Sequence, residues 1–173
     1  MLSLVLAFAV LAPQTAPASY EDLAVDLLRQ YLRIDTTNPP GNEMKAALFF
    51  KDVLAREGIA TEVDEFAPGR ANVMATLRGS GARRPLVLAS HMDVVPADPS
   101  RWSVPPFEGI VKDGEVYGRG AEDMKPEGIL HLVALIRAKR EALPLDRDVV
   151  FLGTADEEVA YAGALRALGP EGW

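Results

Sequence analysis

Two short apolar runs in this chain end abruptly in residue types that bind metals. One is Leu86-Val-Leu-Ala-Ser-His-Met-Asp93 and the other is Phe151-Leu-Gly-Thr-Ala-Asp-Glu-Glu158. Between them lies a glycine-punctuated segment, Gly118-Arg-Gly-Ala-Glu-Asp-Met-Lys125. Near-continuous apolar runs of this length read as strands buried on both faces, the pattern of a parallel sheet. Polar residues at the carboxyl ends of such strands lie where open α/β sheets place their sites. The pattern therefore constrains fold and chemistry together: strands alternating with helices, and one working end of the sheet.

The rest of the chain fits that frame. Ser19 suits a helix N-cap with Asp22 three positions on, and the helix runs to about Ile34. Asp35 to Asn42 is a loop, because it holds a proline pair and a glycine. Asn42 is placed to cap a second helix from about Glu43 to Glu57, ended by Gly58. Ile59–Phe66 and Ala71–Leu77 alternate like half-buried strands. Gly79–Arg84 is a turn, Leu86–Ser90 a buried strand, Pro96–Pro106 a loop and Glu115–Tyr117 a short strand. Pro126 opens a helix through about Arg140. Asp148–Thr154 is a further buried strand, followed by a helix from about Val159 to Leu168. The expected fold is α/β, a mostly parallel sheet flanked by helices. Its few strands predict that residues 19–173 form the N-terminal portion of a larger domain.

Composition narrows the chemistry. A net charge of -7 over 173 residues argues against nucleic acid as a partner. There is no cysteine, so any metal must be held by His and carboxylate. Such ligands suit zinc, with cobalt or manganese as alternatives. Met1–Ala12 is apolar and is followed by Ala16-Pro-Ala18, a small-x-small site, so residues 1–18 read as a secretory signal. That predicts export to the periplasm or the exterior. The stretch is short for a membrane span. It also has no Lys or Arg before the apolar run, which leaves a cytoplasmic protein with a buried N-terminal strand as the alternative.

Three groups carry candidate chemistry. His91 and Asp93 are two apart, so on an extended strand end they point the same way. His91 can ligate a metal while Asp93 orients its imidazole. Asp123 follows a glycine-punctuated loop; its two oxygens can bridge two cations, or it can cap the helix ahead of Pro126. Glu157 and Glu158 are adjacent and face opposite directions in extended chain, which suits one metal ligand and one general base. Close carboxylates repel, and one pKa rises toward the range useful for proton transfer. His131 lies inside a helix and reads as a helix-face residue, and Met124 reads as packing. The Gly118-x-Gly120 pair lacks the third glycine of a dinucleotide fingerprint.

Taken in order, these motifs resemble a known family: the zinc-dependent exopeptidases and deacylases that include aminoacylase, carboxypeptidase S, acetylornithine deacetylase and succinyl-diaminopimelate desuccinylase. The residues that carry the resemblance are Thr36-Thr-Asn-Pro-Pro-Gly-Asn42, Ser90-His-Met-Asp-Val-Val-Pro96, Trp102-Ser-Val-Pro-Pro-Phe107, Gly118 to Lys125 and Ala155-Asp-Glu-Glu158. The resemblance runs from about Tyr20 to the end. It implies two divalent ions, with His91 on one, Glu158 on the other and Asp123 bridging. It implies Glu157 as general base, Asp93 as the partner of His91, and a cis peptide at Asp123–Met124. A further acidic ligand, a His ligand and the lid and dimerisation domain are implied beyond residue 173, so a homodimer is expected only of a longer chain. The implied substrate is a small peptide or N-acyl amino acid, cleaved at its amide bond. Lys125-Pro-Glu-Gly128 departs from the family's Lys followed by small residues. Two alternatives stand beside this reading: a zinc aminopeptidase of another family with similar ligand order, and a fragment or degenerate homologue that holds no metal.

Overall fold

The structure is a computed structural model, and it describes residues 19–170. The expected secretory signal over residues 1–18 lies outside the described residues.

Helix α1 spans Tyr20–Leu32 and α2 spans Glu43–Arg56. Strands β1 (Thr61–Ala67), β2 (Arg70–Leu77) and β3 (Leu86–His91) follow. A single 3-10 turn, Pro99–Arg101, leads to a small hairpin of β4 (Ile110–Lys112) and β5 (Glu115–Tyr117). Helix α3 (Lys125–Arg140), β6 (Val149–Thr154) and α4 (Ala162–Leu168) complete the described chain. Ser19 caps α1 as expected: its hydroxyl oxygen accepts the Asp22 N–H at 3.1 Å. Asn42 makes no side-chain cap on α2. Helix α4 starts at Ala162 rather than Val159, because residues 156–161 form a tight turn in which Tyr161 takes a positive φ of 57°.

The α/β class holds, and the sheet is mixed rather than mostly parallel. Its order is β1-β2-β6-β3, and of its three pairings only β3 with β6 is parallel. The reason is the link between β1 and β2. Ala67 pairs with Arg70, so Pro68 and Gly69 alone turn the chain, and no crossover helix can fit. Gly69 has φ +75°, the left-handed conformation such a turn needs. The strand at residues 86–91 also differs from expectation. It lies at the sheet edge, with Leu86 44% and Val87 49% exposed, and only its last two residues are buried.

Helices α2 and α3 pack on one face of the sheet, and α1 packs on α3. The core there joins Leu27, Tyr31, Phe50 and Leu54 from α1 and α2, Ile129, Leu132 and Ile136 from α3, and Val73, Ala75 and Phe151 from the sheet. Phe50 is its centre: its ring meets Tyr31 at 4.9 Å, Phe49 at 5.5 Å and Phe151 at 4.9 Å. Gly128 lets α3 approach β3 closely, since a Cβ there would lie 3.1 Å from the Ser90 hydroxyl and 3.4 Å from the Phe50 ring. This close seat carries the end of β3 and the start of α3 to the same place. Phe50→Ala should lower the stability of the chain by about 3–5 kcal/mol, the usual cost of deleting a fully buried aromatic ring. Urea unfolding followed by circular dichroism measures it, and a loss below about 1 kcal/mol would show that Phe50 is not the core's centre.

Candidate metal centre

Parallel pairing of β3 and β6 decides where the site lies. His91 sits opposite Thr154, so the residues following both strands leave the sheet at the same end. The Met92 N–H bonds to the Thr154 carbonyl at 2.8 Å, which fixes the two exits side by side. The proline loop is stitched to the same edge: the Asn38 N–H donates to the Val94 carbonyl at 2.9 Å, and the Thr36 hydroxyl donates to the Met92 carbonyl at 2.7 Å. Asn38–Pro39, Pro39–Pro40 and Asp123–Met124 are cis peptides, the last as the resemblance implied.

His91, Asp123, Glu157 and Glu158 converge. One ligand atom each from His91, Glu157 and Glu158 lies within 4.8 Å of the other two. His91 Nε2 is 3.0 Å from Asp123 Oδ1 and 3.8 Å from Glu157 Oε2. His91 is buried, whereas the Asp123 side chain is largely exposed and reaches the imidazole from the rim. The group in mutual reach is His91, Glu157 and Glu158, so Glu157, expected as the base, stands where a ligand would, and Asp123, expected to bridge, meets the group through His91 Nε2.

Asp93 has a larger task than orienting an imidazole. His91 Nδ1 lies 3.0 Å from the Asp93 backbone carbonyl and 3.5 Å from its carboxylate. The carboxylate itself accepts the N–H of Glu157 and of Glu158, each at 3.0 Å, and the Asn38 side-chain amide at 2.7 Å. One buried carboxylate therefore clamps the backbone that presents both glutamates.

The charges respond accordingly. Burial alone would lower His91, but the carboxylates of Asp93 and Asp123, with Glu157 nearby, outweigh it and hold the imidazole up at about 9. Burial would raise Asp93, yet His91, Asn38 and the two glutamate N–H groups bring it down to about 2. Glu158 is raised, first by burial and then by the charges of Asp123, Asp93 and Glu157, with His91 opposing. Glu158 thus shows a rise of the kind expected for close carboxylates.

Several site residues carried no role in the sequence reading. Asn38 and Asp156 sat inside the recognised motifs, where backbone geometry, not residue type, gives them their tasks. Asn38 bridges Asp93 and Asp156, donating to the latter at 2.9 Å. Lys125 is fully buried; it donates to the Tyr31 and Ile34 carbonyls at 3.1 and 2.7 Å and lies 4.6 Å from the Tyr31 ring centroid. It ties the end of α1 to the loop that carries Asp123. Burial depresses its pKa to about 7, against the charge of Asp35. Met124 packs as expected, with its sulfur accepting the His91 backbone N–H at 3.4 Å. His131 stays within α3 and joins none of these contacts.

The donor set fits a divalent cation. It offers one imidazole and two carboxylates in mutual reach, a third carboxylate on the same imidazole nitrogen, and no thiolate. Beside it opens a cleft of about 420 Å³ lined by Val95, Trp102, Tyr117, Arg119, Asp123 and Glu158 among others. The Arg119 guanidinium lies 5.2 Å from the Trp102 ring centroid and walls one side.

Residues 87–172 match the family described as Peptidase family M20/M25/M40. The chain is a homologue of the M20/M25/M40 peptidases. It is 38% identical to aminoacylase-1 of Sus scrofa over 141 residues, which is 80% of this chain and 35% of that protein. It is 35% identical to a probable succinyl-diaminopimelate desuccinylase of Staphylococcus epidermidis over 150 residues, 86% of this chain and 36% of that protein. The chain thus spans about a third of the length of these curated relatives. Among solved structures, human carnosine dipeptidase 1 superposes with a TM-score of 0.69 at 23% identity, covering 83% of this chain and 34% of that chain. At that identity the likeness shows the fold alone: this chain and the dipeptidase share a helix-flanked sheet.

The raised His91 sets a pH dependence for metal binding. Its folded value, about 9, lies above the ordinary value near 6.5. The stabilisation it gains as imidazolium is therefore complete below pH 6.5 and is lost as pH rises through about 9. A metal needs the neutral ring, so binding must expel this proton. Zinc affinity should rise about tenfold per pH unit between pH 7 and about 9, with about one proton released per ion at pH 7. Calorimetry in buffers of different ionisation enthalpy checks this; an affinity flat across that window would contradict the protonated His91.

Proposed function

We propose that this chain carries the metal site of a hydrolase that cleaves a peptide or N-acyl amino acid amide bond. The observation that carries the reading is the convergence of His91, Asp123, Glu157 and Glu158 at one end of the sheet, with Asp93 holding both glutamates by their N–H groups. The identity to an aminoacylase and a desuccinylase supports an amide of an amino acid as substrate.

His91, Asp123 and Glu158 would hold the ions, and zinc suits this nitrogen and oxygen set. When bound, the metal supplies Lewis-acid polarisation of the amide carbonyl and lowers the pKa of water at the site. Glu157 accepts a proton from the attacking water and then delivers it to the departing amine. Asp93 keeps Glu157 in register with His91 through the backbone N–H. The cleft between Trp102, Arg119 and the acids receives the substrate.

Among the described residues, the ligands within reach of His91 are Asp123, Glu157 and Glu158, a smaller set than two ions take. We expect this set alone to bind metal weakly. In a chain of the relatives' length, Glu157→Gln should keep its metal and lose about 10²–10⁴-fold in kcat. Turnover of N-acyl amino acids, with zinc content measured on the same sample, checks this. A glutamine variant with unchanged kcat would remove Glu157 from the role of base. A chain that holds no zinc at any pH would point instead to a homologue that has lost the site.

A further inference from the structure

A buried chain of charges runs from the start of α2 to the turn after β6. Glu43, the first residue of α2, has no exposed surface. Arg70, the first residue of β2, places Nε 2.8 Å from one Glu43 oxygen and donates from Nη2 to the other at 3.0 Å. The same Nη2 donates to Asp156, and Nη1 donates to the Pro40 carbonyl at 3.1 Å. One planar guanidinium thus spans α2, the proline loop and the turn that holds the glutamates. That fork belongs to Arg; a Lys ammonium is a point charge on a flexible stem.

Asp156 is the backbone pivot of that turn. Its φ is +68°, a left-handed conformation that non-glycine residues seldom take. Its side chain accepts from Arg70, from Asn38 at 2.9 Å and from the Ala162 N–H at 3.3 Å. Its carbonyl accepts from Ala160 and Tyr161. Glu157 and Glu158 follow at once. The Asn38 amide also donates to Asp93, the carboxylate that grips the N–H groups of both glutamates. Asp93 and Asp156 are therefore neighbouring buried acids that share one amide nitrogen, and Glu43 is a third acid beyond them. Arg70 is the cation in contact with Glu43 and Asp156.

We propose that Arg70 is a positioning residue for the site: acting through Asp156, it sets the turn that presents Glu157 and Glu158 to His91. Its catalytic consequence rests on the hydrolase reading above; the positioning itself does not. Without the guanidinium, Asp156 and Glu43 stand as unpaired charges beside Asp93. Breaking a buried pair by removing one partner leaves an uncompensated charge. The soft element that relieves it is the turn, which is held by a few hydrogen bonds, not the sheet.

The test is residue-resolved amide hydrogen exchange on the metal-free 173-residue chain. In Arg70→Gln, the Glu157 and Glu158 N–H groups should exchange at least about tenfold faster than in the parent, while Phe151 and Leu152 in β6 change less than about twofold, as local opening predicts. Arg70→Lys should fall between the two. Equal acceleration of all amides would mean that Arg70 serves stability alone, and unchanged glutamate amides would mean that it does not act on the turn; either overturns the proposal. Should Arg70→Gln fail to fold, Asp156→Asn weakens the same link at constant volume and must show the same local pattern, with unchanged glutamate amides again overturning it. Zinc titration of the same samples gives a second readout: Arg70→Gln should bind about 10–100-fold more weakly, as for the loss of a group that orients metal ligands. A chain of the relatives' length that binds no zinc would sink the hydrolase reading and leave the exchange pattern to decide the role of Arg70.

Discussion

The Asp93 carboxylate is the interaction on which the site depends. It is buried, and it accepts three N–H groups from two separate segments while sitting beside His91. Hydrogen bonds to a charged group are worth about 1.5–3 kcal/mol each, and a buried charge without them is costly. The fold therefore has to bring the ends of β3 and β6 and the proline loop to Asp93 together. Parallel pairing of β3 with β6 does this for the strands. The hydrogen bonds of Thr36 and Asn38 do it for the loop.

From that centre the architecture follows outward. Gly128 lets α3 seat against β3, which brings the loop of Asp123 over His91. Lys125 fastens that loop to the carbonyls at the end of α1. Arg70 and Glu43 fasten the glutamate turn to the start of α2. Each ligand-bearing loop is thus tied to a helix on the packed face of the sheet. The ligands themselves stay at the sheet end, where chemistry needs them. A rigid scaffold that carries short functional loops is the general arrangement for such sites.

Much of this was legible in the sequence, for definite reasons. Apolar runs stopping at His91 and at Asp156 to Glu158 mark strand ends, because strands need apolar faces and ligands need the rim. Ser19 and Pro126 marked helix starts through local chemistry that acts within one turn. Sheet direction was not legible. It depends on how many residues separate β1 from β2, and a strand pattern that places each of the facing ends one residue short hides a two-residue turn. The edge position of β3 was equally hidden, since its apolar residues look the same whether or not another element covers them. Arg70 and Glu43 were missed because their pairing is long-range, and nothing near either residue in the chain announces it. Asn38 and Asp156 were in view, but their work comes from a shared amide hydrogen-bonding pair that only the folded loop creates.

The proposed divalent-cation site consists of His91 and the three carboxylates around it. Crystals of the chain grown with zinc, with diffraction recorded on both sides of the zinc absorption edge, test it most directly. An anomalous peak is expected about 2.0–2.2 Å from His91 Nε2 and from a carboxylate oxygen of Glu158, Glu157 or Asp123. A zinc peak located elsewhere, with His91 Nε2 still hydrogen-bonded to Asp123, would contradict it.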